Sequence, residues 1–255
     1  MSRNPITRVL STFRRRRVRA LLMGGQACIL YGAAEFTRDV DLAVAVSPQN
    51  LSRLRAALAD LEAEAVFFPP LSASALRRGH ACHFRCRAAG LEGLRIDLMS
   101  RMRGVPNFSR LWERRVVLDL PGVGPMDVIS LRDLVRSKKT QRDKDWPMIA
   151  RLIEADVAAA PPRPALPRVL WWLREARTPG LLAELAARFP RPARRVARRR
   201  PALAAVLRGN FADADRALRA EQDRERDRDR RYWAPLRREL ERWRMARDLP
   251  RPSGC

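Results

Sequence analysis

The chain has 255 residues and a mass of 29.2 kDa, above the usual single-domain size, which predicts a domain of roughly 150 residues and a smaller second unit. Fifty-two basic against 28 acidic side chains give a formal charge of +24 and a pI near 11.6, favouring an anionic partner such as nucleic acid or a nucleotide. Four cysteines, Cys28, Cys82, Cys86 and Cys255, exclude a disulfide framework in a chain this long and point to a reduced cytoplasmic compartment.

Residues 5–19 read as a basic opening helix and 20–23 as a short strand running into a Gly24-Gly25 turn, with a helix over about 26–31 beyond it. The opening FRRRRVRALLMGGQACILYGAA superficially resembles a secretory signal, but Gly24, Gly25 and Gln26 interrupt its apolar stretch, which is too short to span a bilayer. Residues 39–46, DVDLAVAV, alternate as a half-buried strand does. Ser47 and Pro48 then cap a helix bearing Leu51, Leu54, Leu58 and Leu61 at helical spacing. After residues 64–68 come strands over 80–87 and 94–99, a helix around 108–114 and a strand pair split by Pro121-Gly122. Strands interleaved with helices predict a mixed α/β (α+β) sheet domain.

A capping box, Ser130 with Asp133, starts the next helix, and counting from Leu131 its apolar face runs through Leu134 and Val135 to Lys138 and Lys139. The segment 134–146 holds every lysine of the chain, Lys138, Lys139 and Lys144, and elsewhere the positive charge is arginine. A compact ammonium on a flexible stem suits a phosphate oxygen. Lys138 and Lys139 are expected to point inward, and Lys144 to lie at the surface or cap a helix. From Ala158 the run AAAPPRPALP reads as a linker, 158–168, between a first domain over 1–157 and an all-helical, arginine-rich domain over 169–255. The last long helical region, about 211–247, should break or kink near Pro235, with Trp233, Leu236, Leu240 and Trp243 forming its apolar stripe.

Asp39 and Asp41 are two apart in a strand, so their carboxylates project from one face. Adjacent anions stay ionised only if exposed or if a cation lies between them, and hard oxygen ligands suit Mg²⁺. Asp97 faces with Arg95 and Met99 away from Leu94, Ile96 and Leu98. If its strand neighbours 39–46, three carboxylates converge as two-metal phosphoryl or nucleotidyl transfer requires. Gly24-Gly25, between a strand and a helix, lets backbone amides approach a triphosphate closely.

LLMGGQACILYGAAEFTRDVDLAV resembles the opening motif of the nucleotidyltransferase superfamily with a DNA polymerase beta-like fold, in particular its minimal and abortive-infection toxin-like branches. Gly24, Gly25, Thr37, Asp39, Asp41 and Asp97 fill the places of the glycine turn, the Thr-x-Asp-x-Asp strand and the third strand carboxylate. The resemblance covers roughly residues 15–155 and implies a mixed-sheet nucleotidyltransferase fold followed by helices. Asp39, Asp41 and Asp97 would be catalytic and hold Mg²⁺, with Gly24, Gly25 and Thr37 binding nucleotide. The segment LVRSKKTQRDKDW resembles the helical basic segment of the toxin-like branch and implies Lys138 as a triphosphate contact. Gln26 departs from the small polar residue of some relatives.

The implied reaction is attack by an acceptor hydroxyl on the α-phosphate of a nucleoside triphosphate, ATP foremost, with pyrophosphate leaving. The acceptor is an RNA such as a tRNA end, a protein or a small molecule. The toxin-like branch also allows a neutralising partner protein, and no membrane is involved. The competing reading is a non-catalytic nucleic-acid-binding or scaffold protein that retains the fold, which would have no reason to cluster three anions in so basic a chain. HACHFRC, residues 80–86, offers zinc-ligand types, but a strand turns His83 away from Cys82 and Cys86. His83 can then point toward Asp97 and assist the acceptor hydroxyl.

Overall fold

The computed structural model describes residues 4–34 and 36–248, so Cys255 lies outside the described residues. The chain forms two compact units: residues 1–27, 36–137 and 231–255 make the first, residues 28–35 and 138–230 the second.

The first unit is built on a mixed sheet, and its elements follow the predicted order apart from α4, a short helix that was not expected. α1 (Pro5–Arg15) leads to β1 (Ala20–Met23), α2 (Gly24–Leu30), β2 (Asp39–Val44), α3 (Pro48–Asp60), β3 (Ala63–Ala65) and α4 (Ala73–Arg78). Then come β4 (Cys82–Cys86), β5 (Arg95–Met99), α5 (Phe108–Glu113), β6 (Val116–Leu120), β7 (Gly124–Val128) and α6 (Leu131–Ser137). The seven strands lie in the order β3-β4-β5-β2-β1-β7-β6. β2 runs parallel to β5 and antiparallel to β1. Val40 and Leu42 of β2, Ile96 and Leu98 of β5, and Cys82 and Cys86 of β4 are fully buried on one face. The alternate positions carry the polar side chains, as a sheet with one covered face requires.

Local chemistry sets the joints. The Asn50 side chain accepts from the Arg19 N–H at 2.7 Å and donates to the carbonyls of Arg19 and Ala45, tying α3 to the edges of β1 and β2. The capping box is present: Ser130 Oγ donates to Asp133 Oδ2 at 2.8 Å. That helix, however, ends at Ser137, where Ser137 Oγ donates to the Leu134 carbonyl, so Lys138 and Lys139 follow it instead of extending its apolar stripe.

The second unit is helical: α7 (Asp145–Ala158), α8 (Leu166–Glu175), α9 (Pro179–Arg188), α10 (Pro190–Ala197), α11 (Pro201–Leu207) and the first part of α12 (Phe211–Asp248). Proline stands in the first turn of each of α8 to α11, where a missing N–H costs nothing. The run 158–168 therefore lies inside this unit, closing α7 and opening α8. Trp172 is fully buried, with its Nε1–H donating to Asp156 Oδ2 at 2.6 Å.

α12 continues as helix through Pro235, so of the expected break or kink the break does not occur. Its last part belongs to the first unit, where Glu239 meets Arg78 and His80 and Trp243 packs at 4.8 Å from the His80 ring and 6.0 Å from Phe68. Trp233, Leu236, Leu240 and Trp243 are half-buried, as the stripe predicts. The observed class is a mixed α/β sheet with a helical C-terminal region. Among the described residues no helix is long and apolar enough to cross a membrane.

Candidate active site

Strand register decides which side chains share the polar face of the sheet. Asp41 of β2 is opposite Met23 of β1 and Asp97 of β5, and Asp97 is opposite His83 of β4. Directly opposed residues project to the same side. One row therefore reads Met23, Asp41, Asp97, His83, and the next reads Asp39, Arg95, Arg85. Asp39 stands two residues from Asp41, a rise of about 6.6 Å.

The Gly24-Gly25 turn closes over this row. Gly24 has φ +63°, a left-handed conformation that glycine adopts without penalty. A Cβ there would fall 1.8 Å from Asp41 Oδ2 and 2.6 Å from the Asp41 Cβ, and one on Gly25 would fall 2.6 Å from Thr37 Oγ1. The Gly25 N–H donates to Asp41 Oδ2 at 3.4 Å. Both glycines are thus required by close approach, and Thr37 and Asp41 are the groups they approach.

Asp97 is bonded on both sides. His83 Nδ1 lies 2.8 Å from its Oδ1, and Arg95 Nη2 donates to Oδ2 at 3.1 Å and to Oδ1 at 3.3 Å. The Asp97 side chain is 18% exposed, so these partners rather than bulk water stabilise its charge. Arg95 is the member of this face to which the sequence reading gave no role, and its parity with Asp97 on one strand was the available signal. Phe67, 53% exposed, packs edge-on to His83 with ring centroids 5.8 Å apart.

The ligand types of HACHFRC diverge. His80 is buried and bonded to Glu239 at 2.9 Å, while His83 turns to Asp97. Burial pushes the thiols of Cys82 and Cys86 up to about 11, so both are neutral at physiological pH.

The structure thus brings Gly24, Gly25, Thr37, Asp39, Asp41 and Asp97 to one sheet face of the first unit. Lys138 belongs to the second unit, where its Nζ lies 3.2 Å from Asp145 Oδ1. Thr140 Oγ1 and Arg142 Nε also donate to that carboxylate, at 2.5 and 2.9 Å. Burial alone would push Asp145 up, but the attraction of Lys138, the Thr140 hydrogen bond and Arg142 outweigh it and hold the carboxyl below its ordinary value. Lys144 is exposed at the start of α7.

The donor set on the sheet is three carboxylates, the hard oxygen ligand type that Mg²⁺ prefers. As placed, no group of three His, Cys, Asp or Glu side chains among the described residues gathers around a single point.

No protein-family model matches the chain, and no curated protein does. Several solved chains resemble it, among them two from Helicobacter pylori. One is a Helicobacter pylori protein provisionally described as a nucleotidyltransferase, with 12% identity, a TM-score of 0.39, and coverage of 86% of this chain and 92% of that one. The other is JHP933 from Helicobacter pylori, with 12% identity, a TM-score of 0.35, and coverage of 90% and 93%. Likeness at this level fixes neither activity nor substrate, and the functional reading rests on the sheet face itself.

Proposed function

We propose that the chain is a Mg²⁺-dependent nucleotidyltransferase that moves a nucleoside monophosphate, AMP foremost, from a nucleoside triphosphate to an acceptor hydroxyl on RNA, protein or a small molecule. The observation that carries this reading is the closure of Gly24-Gly25 onto Asp41 and Thr37, beside an Asp41–Asp97 pair in register on parallel strands. A turn without side chains leaves its backbone N–H groups open to a phosphate approaching the carboxylate face.

Asp39, Asp41 and Asp97 are the residues that would hold Mg²⁺, which when bound supplies Lewis-acid stabilisation of phosphate charge. Thr37 and the bare backbone of Gly24 and Gly25 orient the triphosphate. Asp97 orients the imidazole of His83 through the 2.8 Å contact, and His83 accepts the proton of the attacking hydroxyl. The acceptor oxygen bonds to the α-phosphorus and pyrophosphate departs. Lys138 is assigned a triphosphate contact by the family resemblance, and its pair with Asp145 gives it a competing structural task.

A second, non-catalytic reading as a nucleic-acid-binding or scaffold protein draws on one observation: Arg95 and His83 satisfy Asp97 without a metal. Calorimetric titration with the four nucleoside triphosphates and Mg²⁺ separates the two. Metal-dependent binding by the wild type that disappears in Asp39→Asn/Asp41→Asn is expected for the enzyme. Absence of binding to every triphosphate would favour the second reading.

A further inference from the structure

The second unit contains a cavity of about 630 Å³ whose floor is a chain of ion pairs. Glu175 is shared by Lys139 and Arg177 at 2.8 and 2.9 Å, and Glu221 by Arg177 and Arg200 at 3.1 and 3.0 Å. The exposure of these five side chains runs only from 7% for Arg200 to 17% for Glu221. Three cations thus share two carboxylates in this chain of pairs, at a largely desolvated site. Buried charge is costly until a counter-charge joins it. In addition, Arg177, 10% exposed, has a buried Nε–H with no hydrogen-bond partner.

The rim repeats the imbalance. Arg174, Arg195, Arg198, Arg199 and Arg224 are exposed around the opening and, among the described residues, form no ion pair. Glu225 at the rim is already paired with Arg228 at 2.9 Å. With Glu175 included, nine cationic side chains face three carboxylates. Arginines scattered by composition alone would not leave their excess on one concave surface.

The geometry points to a binding site for a compact small molecule bearing at least two clustered phosphate groups. The cavity has the size of a small-molecule site, for which 300–1,000 Å³ is the rough range. Guanidinium forks match phosphate oxygens bidentately, and the buried cations lie where a phosphate entering the cavity would reach them. Among the described residues no aromatic side chain lines the cavity, so they offer no stacking platform of the kind a single-strand nucleic-acid binder uses. A nucleic-acid backbone running across the rim would leave the floor unmatched.

Inorganic tripolyphosphate is the probe, titrated calorimetrically into the full chain in the presence of EDTA. Saturable one-to-one binding is expected for the wild type and for Asp39→Asn/Asp41→Asn. It should weaken by about tenfold or more in Arg195→Gln/Arg198→Gln/Arg224→Gln, which removes three rim charges. The corresponding triple lysine variant, which keeps the charge and loses the fork, should fall between. Circular dichroism of each variant checks the fold, and the exposed positions of the three arginines leave the core intact. Three results would overturn the assignment: no binding by the wild type, binding lost in the aspartate variant but kept in the glutamine variant, or arginine-dependent binding of an RNA oligonucleotide alone.

Discussion

On the sheet face of the first unit, three aspartates and two glycines are placed by backbone register, and no long side chain is needed to bring them there. Around the cavity of the second unit, position is set by long cationic side chains reaching from the segments between helices to carboxylates shared on α8 and α12. The difference matters for how each region fails. A register-built site is broken by steric intrusion at the backbone, whereas a network-built site is broken by removing one partner and stranding the other.

Arg200 gives the largest expected effect. It donates to the carbonyls of Leu173 and Ala176 at 2.8 and 2.6 Å as well as to Glu221. Arg200→Met strands the two buried carbonyls and leaves Glu221 to Arg177 alone, and urea unfolding should show a loss of about 3–5 kcal/mol, the usual penalty for one-sided removal of a buried pair. A loss below about 1 kcal/mol, the level of an exposed pair, would show that the network is solvent-screened.

Gly24→Ala is the matching change on the sheet. It places a Cβ against Asp41 in a backbone conformation unfavourable to alanine, and should cost about 1–3 kcal/mol in the same assay. Triphosphate binding should fall more than stability does, because Asp41 is the group displaced. Equal binding by wild type and Gly24→Ala would remove the turn from the site.

Lys138→Met separates structure from chemistry at the lysine cluster. Loss of its pair with Asp145 should cost about 1–3 kcal/mol. A triphosphate role adds a fall in nucleotide affinity when measured on the folded fraction, and unchanged affinity leaves Lys138 as the partner of Asp145 alone.

The smallest effect is one of pH. Burial would push Glu175 up, but Lys139 and Arg177 hold it below its ordinary value, as Lys138, Thr140 and Arg142 do for Asp145. Carboxyls depressed in the folded state bind fewer protons there than when unfolded, so their stabilisation is complete above the ordinary carboxyl range. It is lost as pH falls through their folded values. Urea midpoints measured downward from pH 6 should decline in acid, and less steeply for Lys138→Met.

The sheet face was legible in the sequence because strand parity is a property of neighbouring residues. Asp39 with Asp41, and Arg95 with Asp97, share a side by the period of two, and the glycine pair announces a turn. Which strands would be neighbours was not written there: the pairing of β2 with β5 joins residues more than fifty positions apart. The lysine helix ends two residues short of the expected Lys139, because local hydrogen bonds from Lys138, Thr140 and Arg142 to Asp145 take over the segment after Ser137. Pro235 was read as a break or kink because propensity is local, and contacts to Arg78, His80 and Phe68 are not.

By itself the sequence determined the order of elements, the side of each strand that carries charge, and the chemistry of the aspartate and glycine motif. These depend on residues a few positions apart, where backbone periodicity is fixed. The tertiary structure alone decided the coupling of Asp97 to His83, the placing of Asp41 beside Asp97, and the gathering of arginines around two shared glutamates. Those depend on long-range packing, which brings together charges that the chain order keeps apart.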